Sequence, residues 1–156
     1  MSTFYRVWFI WVDPLSLVPT VYGVIFNRGH LMDALIPSSM SVADPNHAFL
    51  FHQLAALYAF LAIVLAGVLR ATPDVRVWKT VIGGVLVVDV AILASLYVSL
   101  EHQNRLALRN WWVQEWGNLI YTGGVAILRS LFLAGVGVRK GARGKKNVQS
   151  LTAQGL

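Results

Sequence analysis

The 156-residue chain contains no cysteine, which excludes disulfide bonds and metal sites built on thiolates. It also has little charge, because Asp, Glu, Lys and Arg make up 13% of its residues, against about 25% in ordinary soluble domains. The sequence lacks phosphate-binding loops, dinucleotide fingerprints, nucleophile elbows and metal-ligand clusters. We therefore expect no cofactor and no bound metal.

Apolar residues dominate instead, at 56% of the chain, and they are concentrated in four long segments. These segments cover residues 4–26, 48–69, 77–100 and 111–138. At about 1.5 Å per residue, each is long enough as a helix to cross the roughly 30 Å hydrocarbon core of a bilayer. The sequence thus predicts an all-α integral membrane four-helix bundle in one domain, followed by a basic, disordered tail over residues 139–156.

The net charge of +6 comes without any nucleic-acid recognition motif, so no nucleic-acid partner is expected. The positive residues instead flank the apolar segments, as the positive-inside rule describes. With four spans, the side that holds both termini carries Arg6, Arg70, Arg76, Lys79, Arg139, Lys140, Arg143, Lys145 and Lys146. The other side carries Arg28, Arg105 and Arg109. This bias predicts cytosolic termini, and we expect the endoplasmic reticulum as the host membrane.

Prolines mark where the predicted helices begin or bend. Pro14 interrupts the first segment and predicts a kink, and Asp13 before it is well placed to cap the helix that restarts there. Asp44 and Pro45 predict the N-cap and the first position of the second helix. The run Thr72–Asp74 similarly predicts the cap, first position and acidic first turn of the third helix.

The fourth segment carries a polar stripe inside an apolar span. Glu115, Asn118, Thr122 and Arg129 fall within about 60° of one another at about 100° per residue of helix. Such a stripe must face away from lipid, because a charge at bilayer depth costs at least about 2.5–3.5 kcal/mol. The first three segments are therefore predicted to form the surface that receives it.

Each of those segments offers a polar group toward the stripe. Asp13 and Asp89 lie toward the middle of the first and third segments, and His52 lies near the start of the second. Together with Arg129 and Glu115 they predict a polar cavity within the bundle, open toward the side opposite the termini. Arg129 is expected to pair with Asp13 or with Asp89, and the sequence leaves both partners open.

Carboxylates in an apolar cavity can act as general acids, while a second carboxylate or a histidine acts as base. We assign Glu115 and Asp13 as the candidate acid–base pair, with Asp89 and His52 as second candidates. Epoxide opening, alkene protonation with cyclisation, and double-bond isomerisation of a lipophilic substrate all fit this set. Structural interpretations stay open, since Glu115 also suits the first turn of a helix and His52 suits a membrane interface.

Other residues are candidates for substrate binding. Asn118 would orient water or a substrate oxygen, and Arg129 would keep a carboxylate ionised or stabilise an alkoxide. Trp112, Trp116 and Tyr121 would wall a pocket for an apolar or cationic intermediate. The structural alternative is that Arg129 forms only an ion pair between helices and that the tryptophans form an interfacial belt.

These residues carry a resemblance to a known group of proteins. The matching pieces are Asp13-Pro14, the turn Leu69–Lys79, Asp89, the run Glu115–Asn118 and Arg129. Over about residues 4–138 the chain resembles a largely uncharacterised family of short, four-span membrane proteins from filamentous fungi. Family members more often have glutamate before the first proline and aspartate before Trp-Gly-Asn, so the two acids are exchanged in type here.

Some similar proteins are encoded in clusters for polyene α-pyrone polyketides, where they are assigned as hydrolases or cyclases of epoxidised polyenes. The resemblance therefore implies an epoxide hydrolase or cyclase that acts on a lipophilic fungal secondary metabolite and needs no cofactor. A looser similarity to the sterol-isomerase and sigma-2-receptor type of small helical bundle implies a cavity between the spans as the site.

Other function classes stay open. A non-catalytic scaffold or lipid-binding protein would use the polar residues only to fix helix packing. A terpene cyclase or a sterol-isomerase-like double-bond isomerase would use them for a different acid-initiated reaction. A small transporter is disfavoured because the sequence has no internal repeat. The expected partners are a lipophilic small molecule and membrane lipids, and whether the protein forms a homo-oligomer stays open.

Overall fold

The computed structural model describes residues 2–29, 32 and 44–138, which form helices and no strand. Four long helices follow one another along the chain: α1 (Thr3–Phe26), α2 (Ala48–Ala71), α3 (Val75–His102) and α4 (Val113–Leu133). Short 3₁₀ turns at Pro45–His47 and Leu108–Asn110 precede α2 and α4. The predicted disordered tail, residues 139–156, lies outside the described residues.

Three of the helices, α1, α2 and α3, are long and apolar enough to cross a membrane. The all-helical prediction is confirmed for the described residues, and these three helices are compatible with an integral membrane protein. Helix α4 is not among those three. Its buried Glu115 and Arg129 and its Asn118 make it more polar than the others, while its length of 21 residues matches a span.

Helix α1 is continuous through Asp13, so the prediction that this residue caps a restarted helix is wrong. A π-helical turn at Trp8–Val12 leads directly into the α-helical part that begins at Asp13. Asp13 itself has helical dihedral angles, φ −62° and ψ −53°, and its side chain caps no backbone amide. Pro14 has no N–H to donate to the preceding turn, and the wider π turn accommodates that loss without ending the helix.

The starts of α2 and α3 follow the sequence signals, with one shift. Asp44 accepts a hydrogen bond from the Asn46 N–H at 2.8 Å, as a cap does. For α3 the cap is Asp74, which accepts from the Arg76 N–H at 2.8 Å, two residues later than predicted. The reason is Pro73, which holds Thr72 in an extended conformation and so delays the first helical turn.

Helix α4 ends at Leu133, five residues before the predicted end of the fourth segment. Lys79 on α3 donates from Nζ to the Leu133 carbonyl at 2.7 Å, which satisfies one of the carbonyls left open at a helix end. Gly135 and Gly137 follow with φ of +88° and +71°, a left-handed conformation that favours glycine. The chain therefore leaves the helix in a run of turns at residues 134–137 instead of continuing as helix.

An apolar core fills the end of the bundle where the chain begins and where α4 ends. Its buried residues come from all four helices: Tyr5, Phe9, Ile10, Leu65, Leu69, Trp78, Ile82, Val85 and Phe132. Phe132 lies at its centre, with ring centroids 5.2 Å from Tyr5 and 5.5 Å from Phe9. Trp78 is fully buried, and its indole N–H donates to the Thr72 carbonyl at 2.8 Å. This half of the molecule is solidly packed.

Candidate functional site

Three charged side chains meet in the interior directly beyond that core. Arg129 on α4 donates from Nη2 to both carboxylate oxygens of Asp13 on α1, at 2.8 and 2.7 Å. Its Nη1 donates to Oδ2 of Asp89 on α3. All three residues are buried, with exposed fractions between 3% and 7%. The sequence left open which aspartate pairs with Arg129, and the structure pairs it with both; we call these residues the Asp–Arg–Asp cluster.

The cluster holds two carboxyl groups and one guanidinium, so it carries a formal charge of −1 when both aspartates are ionised. An isolated charge is costly in an apolar interior, and one proton shared by the two carboxyl groups brings the cluster to neutrality. The two aspartates are not held alike. Asp13 engages Arg129 through both oxygens, whereas Asp89 engages it through Oδ2 alone. The Asp89 side chain is also the more exposed, at 10% against 4%.

Arg129 has one donor left over. Its Nε is buried and has no hydrogen-bond acceptor among the described residues. A buried N–H without an acceptor is costly, and native proteins rarely leave one.

A cavity of about 330 Å³ adjoins the cluster, and all four helices contribute to its walls. From α1 it receives Asp13, Ser16, Leu17, Thr20 and Val24; from α2, Leu54 and Tyr58; from α3, Asp89 and Ile92. From α4 it receives Asn118, Tyr121, Thr122, Val125 and Arg129. On every helix these residues lie on the side of the cluster away from the apolar core. A cavity is thus present, as predicted, in the half of the helical assembly opposite the N-terminus, but its walls are mainly apolar and only its floor is charged.

The polar stripe of α4 has the predicted geometry. Glu115, Thr122 and Arg129 are all buried on one face, and Asn118 on the same face is partly buried. The Thr122 hydroxyl donates to Oδ1 of Asn118 at 2.9 Å, which leaves the Asn118 amide N–H groups as donors at the cavity wall. At about 1.5 Å per residue, Thr122 lies about 10 Å from Arg129 along the helix axis. The cavity therefore has charged residues at its floor and a second polar group, the Asn118–Thr122 pair, farther along its wall.

Glu115 does not join the cluster, although the sequence pairs it with Asp13. It is 1% exposed, and its two carboxylate oxygens accept from Nη1 and Nη2 of Arg105, at 2.8 and 2.9 Å. Its Oε2 also accepts from the Trp112 N–H at 2.7 Å, which fixes the start of α4. Glu115 does not line the cavity, and along α4 it lies about 20 Å from Arg129. Sequence reasoning missed Arg105, which it used only to assign topology.

The remaining candidates divide between the cavity and its surroundings. Tyr121 lines the cavity, as the sequence predicts. The Trp112 ring instead stacks on the Arg105 guanidinium, whose Cζ lies 4.2 Å from the centroid of that ring. The Trp116 ring packs against that of Trp111, with centroids 5.2 Å apart. His52 is exposed and does not line the cavity. These three residues therefore belong to the end of the bundle around the cavity rather than to its interior.

Tyr58 on α2 is a cavity residue that the sequence analysis did not name. Its signal was its position four residues after Leu54, on the same face of α2. Within the described residues no group of three or more histidine, cysteine or acidic side chains could hold a metal ion. The chemistry of this site is that of two carboxyl groups, one guanidinium, hydroxyl groups and an amide.

Comparison with known proteins places the chain in a family. The chain belongs to DUF7704, a domain of unknown function, whose family model matches residues 1–139. That match includes all four helices and every residue of the cluster and the cavity. No curated protein and no solved structure matches the chain.

Proposed function

We propose that this member of a family without an assigned activity is a membrane-embedded, cofactor-independent acid–base enzyme. Its reaction is the opening of an epoxide on a lipophilic substrate, as a hydrolase or a cyclase. The observation that carries the proposal is the position of Asp13 and Asp89, both bonded to Arg129, at the floor of an apolar-walled cavity. Two carboxyl groups in one apolar site favour one protonated and one ionised form, which is the pair that acid–base catalysis needs.

The cluster divides the work between its two aspartates. Asp89 is the proposed acid, because only one of its oxygens engages Arg129 and its other oxygen can carry the proton. Asp13 is the proposed base, since its two bonds to Arg129 favour the ionised form. This assignment replaces the pair of Glu115 and Asp13, because Glu115 does not line the cavity and lies about 20 Å from Arg129 along α4.

In the proposed reaction, the Asp89 proton passes to the epoxide oxygen as one ring C–O bond breaks. A water molecule, or a hydroxyl group of the substrate, forms the new C–O bond and gives its proton to Asp13. The products are a diol or a cyclic ether, and no oxidant or reductant is consumed. The positive charge of the Arg129 guanidinium, which lies between the two carboxyl groups, would stabilise the oxygen on which negative charge develops.

The walls of the cavity suit a lipophilic substrate of modest size. Its volume of about 330 Å³ is at the lower end of the range for small-molecule sites, roughly 300–1,000 Å³. Leu17, Val24, Ile92 and Val125 would contact the hydrocarbon part of the substrate. Asn118, which lies about 16 Å from Arg129 along the axis of α4, would bind a second oxygen function far from the floor. An oxygenated polyene, such as a fungal polyketide, has this combination of an apolar chain and spaced oxygen atoms.

The membrane arrangement we propose has four spans, with α4 as the fourth. Its polar groups are turned inward and paired, so its exposed face is left mainly apolar, with exposed Ile120, Ile127 and Leu131. Arg6, Arg70, Arg76 and Lys79 lie at the end of the bundle that holds the N-terminus. By the positive-inside rule this end faces the cytosol, and the endoplasmic reticulum is the proposed membrane.

The test is an assay of microsomes that carry the protein, using an epoxidised polyene in water labelled with oxygen-18. Label in a diol product supports a hydrolase, and an unlabelled cyclic ether supports a cyclase. The double variant Asp13→Asn/Asp89→Asn should abolish conversion, whereas Glu101→Gln, which changes an exposed carboxylate at the end of α3, should not. Absence of conversion by folded protein would contradict the epoxide reaction.

A second candidate is a non-catalytic scaffold, which one observation favours. Arg129 binds both aspartates and so joins α1, α3 and α4, an arrangement that also serves helix packing alone. The two functions differ in what Asp89→Asn does. A scaffold loses stability and any binding in proportion, whereas an enzyme with this acid loses turnover while the protein stays folded.

A further inference from the structure

A second recess lies at the end of the bundle that holds the N-terminus, beside the turn between α2 and α3. It encloses about 400 Å³. Its lining comes from Arg6 on α1, Leu69 and Arg70 at the end of α2, and Thr72, Val75 and Trp78 at the turn and the start of α3. We call this recess the basic groove. It lies outside the Asp–Arg–Asp cluster and its cavity, with the apolar core between them.

The groove carries positive charge and no lining carboxylate. Arg6 and Arg70 are exposed, and neither forms a salt bridge within the described residues. The Arg70 guanidinium lies 3.9 Å from the ring centroid of Trp11. Stacking of this kind orients the plane of the guanidinium and leaves its N–H groups available at the edge. The groove therefore presents two guanidinium groups to an anion, and that of Arg70 is held in place by Trp11.

The start of α3 adds to this preference for an anion. Val75, the first residue of this 28-residue helix, lines the groove, so the positive end of the helix dipole lies at the edge of the groove. The Asp74 carboxylate satisfies only the Arg76 N–H of the first turn. Arginine side chains and the start of a helix thus meet at one place, and both favour a phosphate oxygen as ligand.

The depth of the groove indicates where that phosphate comes from. Arg6 is in the first turns of α1, and Arg70 is in the last turn of α2, so both lie at the ends of helices long enough to span a membrane. Headgroup phosphates lie at this level of a bilayer. The exposed Trp11 on α1 contacts the Arg70 guanidinium, and acyl chains would run along this side of the groove.

We infer that the basic groove binds the phosphate of an anionic phospholipid, through Arg6, Arg70 and the start of α3. The site is independent of the reaction proposed for the cavity. It would fix the depth and orientation of α1 relative to the α2–α3 turn, and it would make the protein selective for anionic lipid at this surface.

The experiment measures lipid retention by native mass spectrometry on the full chain in a neutral maltoside detergent. The probes are dioleoyl phosphatidylglycerol and dioleoyl phosphatidylcholine, which share acyl chains and differ in headgroup charge. The wild-type protein should retain phosphatidylglycerol in preference to phosphatidylcholine. Each arginine near an anionic surface contributes about fivefold to binding, so Arg6→Gln/Arg70→Gln should lower phosphatidylglycerol retention by at least about tenfold.

The matched control is Arg28→Gln/Arg109→Gln, which also removes two arginines, but at the opposite ends of the helices and outside the groove. It should retain phosphatidylglycerol as the wild type does. Arg6→Lys/Arg70→Lys keeps the charge and should restore most of the retention, which separates loss of the site from misfolding. Equal retention of the two lipids by the wild type, or equal losses in the groove and control variants, would overturn the inference.

A further arm distinguishes a lipid headgroup from a soluble phosphate. Inorganic phosphate and glycerol 3-phosphate are added at millimolar concentration to the lipid-free protein, and the shift in melting temperature is measured. A lipid site should give little or no shift with either compound. A shift as large as that of phosphatidylglycerol, lost in Arg6→Gln/Arg70→Gln, would assign the groove to a soluble phosphate and would also overturn the inference.

Discussion

Arg129 and Asp13 are 116 residues apart in the chain, yet Nη2 of the arginine donates to both oxygens of the aspartate, at 2.8 and 2.7 Å. The first and last long helices are joined through this contact. Because Arg129 also engages Asp89 on α3, one side chain links three helices at the same depth. The stability of the bundle and the chemistry of its cavity therefore depend on the same few atoms, and experiments must separate the two effects.

Removal of the arginine should be strongly destabilising. Arg129→Gln leaves two buried carboxyl groups without their cation, and breaking a buried ion pair in this way typically costs about 3–5 kcal/mol. The free energy of unfolding can be measured by titration with a denaturing detergent in mixed micelles. Arg76→Gln, which removes an exposed arginine, should change it by less than about 0.5 kcal/mol.

The stability lost in Arg129→Gln should be partly recovered when Asp13 and Asp89 are also replaced by neutral residues. Adding Asp13→Asn and Asp89→Asn to Arg129→Gln replaces uncompensated acids with amides that can bond to one another, so stability should rise above that of Arg129→Gln. A triple variant no more stable than the single one would show that the charge of the aspartates is not what makes the loss of Arg129 costly.

Asp89→Asn should separate activity from stability. The amide oxygen still accepts a hydrogen bond from Arg129, so we expect the free energy of unfolding to fall by about 1 kcal/mol or less. The amide cannot deliver a proton to an epoxide, so turnover should fall by about 10²- to 10⁴-fold. Both quantities are measured on one preparation, with Glu101→Gln as the control on the same helix. Turnover within about threefold of wild type would remove Asp89 as the acid.

Glu115 should behave as a structural residue. Glu115→Gln weakens the bonds to Arg105 and should lower the free energy of unfolding by about 1–3 kcal/mol, while turnover per folded molecule stays within about threefold of wild type. A double-mutant cycle with Arg105→Gln should give a coupling energy of about 0.5–3 kcal/mol, as expected for residues in contact. Additive losses, or a large loss of turnover in folded Glu115→Gln, would argue that Glu115 has another role.

Gly137, in the turns that follow α4, and Gly124, within α4, provide a matched pair of substitutions. Gly137 has φ +71°, and a Cβ there would lie 3.2 Å from the Tyr5 ring, so Gly137→Ala should lower the free energy of unfolding by about 1–2 kcal/mol. Gly124 is helical with open space around it, and Gly124→Ala should be neutral or stabilising by up to about 1 kcal/mol. Equal effects of both substitutions on the detergent unfolding midpoint would contradict the left-handed conformation of Gly137 and its close approach to Tyr5.

Helical periodicity and capping chemistry made much of this structure predictable. The stripe of Glu115, Thr122 and Arg129 follows from the repeat of the helix, and its burial follows from the cost of charge at membrane depth. Asp44 could be predicted as a cap because an aspartate before a proline satisfies local amides. These are short-range effects, and the sequence contains them within a few neighbouring residues.

The partners of the buried charges were harder to predict because they depend on packing between distant segments. The spacing of residues allowed Arg129 to pair with either Asp13 or Asp89. Arg129 pairs with both because α1 and α3 approach the same point of α4. Arg105 was assigned to a loop by its position, and its contact with Glu115 requires that loop to fold back on α4. The π turn of α1 has no distinctive residue pattern, so Pro14 predicted a break where the helix continues.

The apolar core has a consequence for how molecules pass through this protein. On the side of the cluster nearest the N-terminus, Phe9, Ile82 and Phe132 are fully buried and close off the interior within about a turn or two of the charged residues. The cavity is therefore a dead end rather than a conduit. A molecule that enters cannot continue through the core toward the end that holds the N-terminus, and in the proposed reaction the product would leave without crossing that core.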